Sequence, residues 1–405
     1  MRVTADLQLH SKYALATSKF MDLEHLAEGA KVKGLNLLGT GDFTHPAWFA
    51  ELQSKLQPIS GTGLFSYSGM TWMLAGEVST VYEAGGRVRK VHHLIYSPDL
   101  ETVSQINQEL GKYGRLASDG RPVLKGLGSP ELVERLHSIS SSIVVVPAHI
   151  WTPWFGAFGS KSGFDSLEEC YQDQAARIFA VETGLSSDPP MNWMLRSLDK
   201  VALMSNSDAH SPNPWRLGRE ANVFDLPRLT YDEVFSSVRL KDRSRFLYTI
   251  EVDPAYGKYH FTGHKKCGTS FLPKDANRLG NKCPTCGKKM TVGVLQRVEE
   301  LADRPEGEEA PGAVPFRKLI PLYEVISAAT GVNRLYVKRV LEEQDRLIRT
   351  FGTELSVLLE VGASELERAA SPKVADAIVS VREGRVVFTP GYDGVYGVPS
   401  FPERS

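Results

Sequence analysis

Cysteine is scarce: four in 405 residues, Cys170, Cys267, Cys283 and Cys286. That argues against a disulfide framework. Three of the four crowd between positions 267 and 286, so these thiols read as metal ligands in a reducing compartment. Long apolar runs are also missing. No stretch approaches the roughly 20 residues that span a bilayer. The start, Met1-Arg2-Val3-Thr4, turns polar too soon for a signal-peptide core. No membrane partner is expected, and the chain reads as cytoplasmic. Excess charge of one sign is absent: 47 Lys and Arg against 48 Asp and Glu leave −1. Any polyanion site must therefore come from local clustering. No G-x-x-x-x-G-K-[ST] phosphate loop occurs, which excludes a helicase as sole role. No internal repeat or low-complexity tract is present.

What is there falls into parts, as 405 residues imply. Over residues 1–250, short apolar runs alternate with helix-like stretches. The expected strands are Val3–Leu9, Leu35–Thr40, Thr71–Glu77, Val91–Ile95, Ile143–Pro147, Ile178–Glu182 and Ala202–Ser205. The expected helices include Asp22–Lys33, Glu101–Lys112, Pro130–His137 and Met191–Leu198, with Asp22 and Ser129 as N-caps. This alternation predicts a parallel α/β layout, open or closed. Residues 251–302 change character: positions 254–297 carry nine basic residues against the single carboxylate of Asp275. Residues 303–318, rich in Pro, Gly and Glu, read as a linker. Residues 319–405 begin with helical periodicity and end in an irregular segment. Their Arg334, Lys338, Arg339, Arg346 and Arg349 alternate with Glu342, Glu343 and Asp345, the pattern of a solvated face.

Each expected strand of the first part carries a metal-ligand type at or near one end. The residues are His10, then Asp42 with His45, then Glu77, His92 and His93, His149, Glu182, and finally Asp208 with His210. Functional groups of βα architectures gather at the carboxyl ends of strands, so these side chains can converge. One such residue alone is ordinarily a hydrogen-bonded structural group; the recurrence at all seven strands is what points to metal. Mixed imidazole and carboxylate donors suit zinc, manganese or iron, ions that activate water and stabilise phosphoryl charge.

A second constellation, His264-x-x-Cys267 and Cys283-x-x-Cys286, has the spacing of a zinc ribbon. All four positions are protein ligands, so the zinc is expected to be structural. Cys170 reads as a buried helix residue. Two further features suit a nucleic-acid substrate. Trp151, Trp154 and Phe155 follow His149 directly and could stack on or wedge between bases. Arg216 and Arg219 follow the last metal motif and could hold phosphate oxygens, as could Lys265, Lys266, Lys288 and Lys289 of the basic stretch.

Asp6-Leu7-Gln8-Leu9-His10, Gly39-Thr40-Gly41-Asp42, Glu77, His149 and Ser207-Asp208-Ala209-His210 resemble the motifs of the PHP (polymerase and histidinol phosphatase) superfamily. The resemblance implies a distorted seven-stranded βα barrel that cleaves phosphate esters, with Asp208, Glu77 and His149 in the catalytic centre. It implies that His10, Glu77 and Asp208 bind one metal, and that Glu77 and His149 bind a second with His92 or His93. Asp42 or His45 with His210 would bind a third. Divalent zinc, manganese or magnesium are the expected ions. The departure is Gln8, which stands where the family usually has a first histidine. Over nearly the full length the chain is similar to the endonuclease Q family of PHP DNA-repair enzymes. The segments that carry this are Lys33–Asp42, Ala148–Trp154, Val181–Ser186, Gly263–Gly268 and Val298–Pro305. That resemblance implies a PHP domain, a zinc module and a helical C-terminal DNA-binding domain. It also implies a nick 5′ to uracil, hypoxanthine, xanthine or an abasic site in duplex DNA, within the nucleoid. A sliding clamp is a candidate partner. Two rival readings remain. A phosphatase of small phosphomonoesters would leave the basic module and the aromatic loop unexplained. A non-catalytic DNA-binding protein with a decayed barrel is opposed by the ligand positions that persist.

Overall fold

The seven expected strands form in the computed structural model as Arg2–Asp6, Leu37–Gly39, Met70–Ala84, Arg87–Ser97, Val144–Pro147, Ala180–Glu182 and Ala202–Met204. The structure describes residues 1–332 and 334–401. Asn333 and positions 402–405, part of the expected C-terminal domain, lie outside the described residues. The strands curl into a distorted barrel. The first five pair in chain order, and Ala180–Glu182 pairs with Ala202–Met204. A single bridge, Leu9 to Ala209, links the last turn back to the first strand. Ala5, Leu37, Met73, Leu94, Val146, Ala180 and Met204, one from each strand, belong to a single buried cluster. Only the barrel interior is shared by all seven strands, so this cluster is its floor.

The sheet is mixed, which corrects the parallel expectation. Arg87–Ser97 runs antiparallel to both neighbours. Gly85 and Gly86, at φ 59° and 69°, form a two-residue turn with both positions left-handed, and such a turn returns the chain beside the strand it left. For the same reason Met70–Ala84 runs well past Glu77 rather than ending there. Outside the barrel, Ala221–Asp225, Phe246–Glu251 and Phe316–Lys318 extend the sheet from its first strand. The last of these lies in the expected linker, and its surroundings are packed. The Arg304 side chain is 2% exposed and paired with Asp199. Arg304, Ala310, Ala313 and Val314 are the buried anchors of an otherwise largely exposed segment.

Leu23–Lys33 is capped by Asp22, whose side chain accepts from His25 N, and it stops at Gly34. The expected helix Met191–Leu198 splits instead into Pro189–Trp193 and a tight turn, Arg196–Lys200. The helix expected at Pro130 begins at Ser129 with Gly128 as cap, so the Ser129 side chain accepts no cap bond. Its Oγ faces Tyr82 instead. The helices Leu322–Ala329, Lys338–Phe351, Glu354–Leu359, Ala363–Ala369 and Pro372–Arg382 follow, and after them comes a hairpin of Val387–Thr389 and Val398–Ser400. Among the described residues no helix is long and apolar enough to cross a membrane.

Candidate metal centre and its surroundings

Two clusters of ligand atoms, each within 4.8 Å, occupy the barrel mouth: His10, Asp208 and His210, and Glu77, His92 and His149. Glu77 joins them. Its Oε1 lies 2.8 Å from His92 Nδ1 and 3.3 Å from His149 Nε2, while Oε2 lies 3.2 Å from His10 Nε2. Strand parity selects these residues. Ser79 pairs with His92 and Glu77 with Leu94, so Glu77 and His92 share the interior face. His93 turns outward. Its Nε2 meets Thr80 Oγ1 at 3.0 Å and its Nδ1 meets the Tyr171 hydroxyl at 2.9 Å. The structure therefore does not bring His93 to the centre.

Neighbouring residues hold several of the ligands through side chain or backbone. His10 Nδ1 lies 2.9 Å from Asp42 Oδ1, and Asp42 also accepts from Ser11 N and Ser11 Oγ. Asp42 thus orients an imidazole instead of joining a cluster, which differs from its expected role as ligand. His45 is also left out: it stacks on Tyr13 at 4.5 Å, and among the described residues its buried Nδ1 has no hydrogen-bond partner. Glu182 accepts from His149 N and from Asn206 Nδ2. His210 Nδ1 lies 2.8 Å from the Asp208 carbonyl oxygen. Asp42, His149 and Asp208 all have positive φ, 46°, 28° and 47°. Such backbone costs about 1–3 kcal/mol at each non-glycine residue and persists where the surroundings enforce it. Gly41 is required beside them, because a Cβ there would lie 2.2 Å from Leu9 O.

The electrostatics suit cations. Burial opposes charge on Glu77, yet Arg121, His92, His10 and His149 hold its carboxyl well below the usual range. Burial likewise opposes charge on Asp208, and His210 and His10 pull it down. Burial, with Arg121, pushes His92 down to about 3, leaving the neutral imidazole that a metal needs. Burial disfavours the His10 cation, but Asp42, Asp208 and Glu77 raise it well above its ordinary value. Gln8 donates from Nε2 to Glu77 Oε2 at 2.9 Å, and among the described residues its buried Oε1 has no hydrogen-bond partner. An unpaired oxygen among imidazoles and carboxylates fits a divalent cation and is costly otherwise.

The zinc-ribbon spacing closes in space. His264, Cys267, Cys283 and Cys286 place their ligand atoms within 4.8 Å of one another, a donor set that holds structural zinc. The thiols come together across the hairpin Thr262–His264 and Thr269–Phe271 and the turn at Cys283. Lys265, Lys266, Lys288 and Lys289 are all exposed on this module. Cys170 is buried in the helix Leu167–Tyr171.

The remaining expected site residues separate sharply. Trp151 is 1% exposed, donates from Nε1 to Asn192 Oδ1 at 2.8 Å, and sits in the wall of the cavity beside the clusters rather than on the open surface. Trp154 is 38% exposed and meets Tyr259 edge-on at 5.9 Å. Phe155 lies 4.5 Å from the His92 ring. Arg216 pairs with Glu324 at 2.8 Å. Arg219 is buried, donating from Nε and Nη2 to Ser207 O. Arg219 therefore braces the turn that carries Asp208, while Arg216 ties its own segment to Tyr256 and to Glu324 of the helix Leu322–Ala329. A cavity of about 290 Å³ opens beside the clusters, lined by Arg121, Trp154, Phe155, Lys258 and Tyr259 among others. Sequence reasoning missed Arg121, Lys258 and Tyr259. In the sequence Lys258 counts only as one of the basic residues of positions 254–297, and nothing near Arg121 resembles a motif.

This barrel, with clustered imidazoles and carboxylates at its mouth, defines a metal-dependent phosphoesterase of the PHP type. The chain is 36% identical to the lesion-specific endonuclease PfuEndoQ of Pyrococcus furiosus, with a TM-score of 0.88 over 100% of this chain and 96% of that one. It is similar to endonuclease Q in complex with a 27-mer duplex bearing an abasic lesion at the active site, at 36% identity and a TM-score of 0.89, over 100% and 97% of the two chains. The chain belongs to the endonuclease Q family. It is also 29% identical to the uncharacterized protein YqxK of Bacillus subtilis over 98% of each chain. It is 36% identical to the uncharacterized protein MJ0043 of Methanocaldococcus jannaschii over 62% of this chain, but it spans only 31% of that protein's length. Residues 321–385 match the family described as MJ0043 C-terminal domain.

Proposed function

We propose that this chain is a DNA-repair endonuclease that nicks one strand 5′ to a deaminated base or an abasic site by metal-assisted hydrolysis. The observation that carries the reading is the full-length likeness to a relative seen with an abasic lesion at its active site. His10, Asp208 and His210 would hold one ion, and Glu77, His92 and His149 another, with Glu77 reaching both clusters. When bound, such ions lower the pKa of water and neutralise charge on a phosphoryl oxygen. The chain's own residues do the positioning. Asp42 fixes the His10 ring, Arg219 holds the Ser207 carbonyl next to Asp208, and Glu182 anchors the His149 backbone.

Lesion recognition rests on extrusion of the damaged nucleotide, whose cost of a few kcal/mol is smallest where pairing is already lost. Trp154 and Tyr259 supply aromatic surface in the cavity for the extruded group or for the gap it leaves. Lys265, Lys266, Lys288 and Lys289 would contact phosphates, which position the duplex without reading its sequence. The enzyme would act in the cytoplasm, on nucleoid DNA; a sliding clamp remains a candidate partner with no segment assigned to it. The test is a set of end-labelled duplexes with one uracil, hypoxanthine or abasic site, incubated with Mg²⁺ or Mn²⁺. A single nick 5′ to the lesion, lost in Asp208→Asn, is expected. Hydrolysis of a small phosphomonoester with every duplex intact would replace this reading by the phosphatase one.

A further inference from the structure

Arg121 reaches the metal centre from a loop that belongs to none of the metal motifs. The loop is fixed on both sides of it. Gly120 N donates to Tyr13 O at 3.1 Å, and the Pro122 carbonyl accepts from Ser79 N at 3.0 Å. Val123–Lys125 then continues as a strand beside Ser79–Val81, two residues beyond Glu77. Gly120 allows this approach, since a Cβ there would lie 2.2 Å from Asp42 Oδ2. The guanidinium is thus delivered by rigid backbone and not by a mobile tip.

Its Nη1 lies 3.5 Å from Glu77 Oε1 and 3.5 Å from His10 Nε2. Among the described residues its Nε and Nη2 make no hydrogen bond, while the side chain is 26% exposed and lines the cavity beside the clusters. One edge therefore leans on metal ligands and the other is open to whatever enters. The charge is secure, because a guanidinium keeps its proton across the working pH range. Divalent ions in the two clusters would compete with Arg121 for Glu77 and leave the guanidinium needing another anion. The anion that the reaction brings is the phosphodiester. A planar guanidinium matches two phosphate oxygens with parallel N–H bonds. Gln8, neutral where an imidazole is usual in the family, stands on the same carboxylate as Arg121. The fixed positive charge at this side of the centre comes from Arg121.

We propose that Arg121 is a catalytic residue whose free Nε and Nη2 bind the non-bridging oxygens of the scissile phosphodiester. The proposal rests on the phosphodiesterase reading above and names a residue that binds its substrate. In the step, the water oxygen forms a new bond to phosphorus. The sugar oxygen departs with the electron pair of the broken P–O bond and takes up a proton from solvent, while the attacking water releases one of its own protons to solvent. Arg121 exchanges no proton; it stabilises charge on the oxygens that stay.

The experiment compares wild type, Arg121→Ala and Arg121→Lys, all loaded with Mn²⁺, on an abasic duplex. Metal content is measured for each protein. Loss of a preorganised donor of this kind costs about 10²–10³ in kcat. Arg121→Ala should lose that much with barrel metal unchanged, recover partly in added guanidinium chloride, and recover less through lysine, which cannot form the two-pronged contact. Retention of kcat within a few-fold, or loss of barrel metal in Arg121→Ala, would overturn the proposal, the second because it would make Arg121 a support for Glu77. If wild type nicks no lesion duplex, the proposed function fails by itself. Arg121 is then judged by calorimetry with inorganic phosphate on the Mn²⁺-loaded proteins. About tenfold tighter phosphate binding by wild type than by Arg121→Ala upholds the assignment, and equal binding overturns it.

Discussion

Lys33 and Glu354 join the barrel to the C-terminal helices, and Lys33→Met should cost about 3–5 kcal/mol, the cost of stranding one partner of a buried ion pair. The ammonium lies 2.7 Å from Glu354 Oε1, with side-chain exposures of 2% and 0%. It also donates to Pro214 O at 2.8 Å, in the segment that follows His210. Glu354 accepts further from Leu322 N and from Gln344 Nε2, each at 3.1 Å. Methionine keeps the bulk of lysine but leaves the carboxylate with only these two neutral donors. Adding Glu354→Gln removes the stranded charge while its Oε1 can still accept from Leu322 N, so the double variant should regain more than half of the loss. Urea unfolding followed by tryptophan fluorescence and far-ultraviolet dichroism reads both, since Trp215 is buried nearby against Tyr323. A loss below about 1 kcal/mol in Lys33→Met, or no recovery in the double variant, would refute the argument. Gly34→Ala probes the same seam: at φ 101° its Cβ would lie 2.7 Å from Thr353 Oγ1.

Cys283→Ser should release one zinc per chain and expose residues 259–300 to proteolysis, because the module's own core is only Ala276, Cys283 and Met290 and structural zinc contributes folding energy directly; unchanged zinc content would refute the grouping. Burial pushes the Glu251 carboxyl up to about 8 from 4.5. Above its ordinary value the unfolded chain has lost a proton that the fold retains, so stability should fall as pH rises, by up to about 1.4 kcal/mol per unit for this group, and Glu220, itself raised by burial and by Glu251, shares the titration. Glu251→Gln should match wild type near pH 4.5 and exceed it at pH 8; parallel melting curves would contradict this. Trp154→Ala should lower discrimination between abasic and intact duplex at unchanged stability, whereas Trp151→Ala should cost about 3–5 kcal/mol through its cavity. The reverse pattern would return Trp151 to the DNA surface. Gln8→His should tighten barrel metal binding in a titration, and identical curves would mean that position 8 does not serve the ion.

The strand ends were legible because convergence at a barrel mouth restricts where ligand-type residues can stand. The zinc ribbon was legible because two tight turns at fixed spacing leave little freedom. His92 and His93 were not separable, since neighbouring strand residues face opposite ways and the sequence does not say which face is inner. The pairing of Ser79 with His92 decides it. Arg121 had no signal at all: its place depends on Gly120 packing against Asp42, more than seventy residues earlier. Carboxylates were the hardest to sort, because the residue that holds a ligand looks like the ligand in sequence. Their partners separate them. Asp6 accepts from Ser207 N, Ser207 Oγ and Gly218 N, and Asp42 accepts from Ser11 N and Ser11 Oγ besides His10. Oxygens filled by backbone amides and hydroxyls have little left to offer an ion. Glu77 instead faces His10, His92 and His149, and Asp208 faces His10 and His210. Imidazoles surrounding a carboxylate are themselves ligands, and the space they share with it is where a cation would be stabilised most. The test for a metal-binding carboxylate in this fold is therefore which donors it already has, and that is set by tertiary packing.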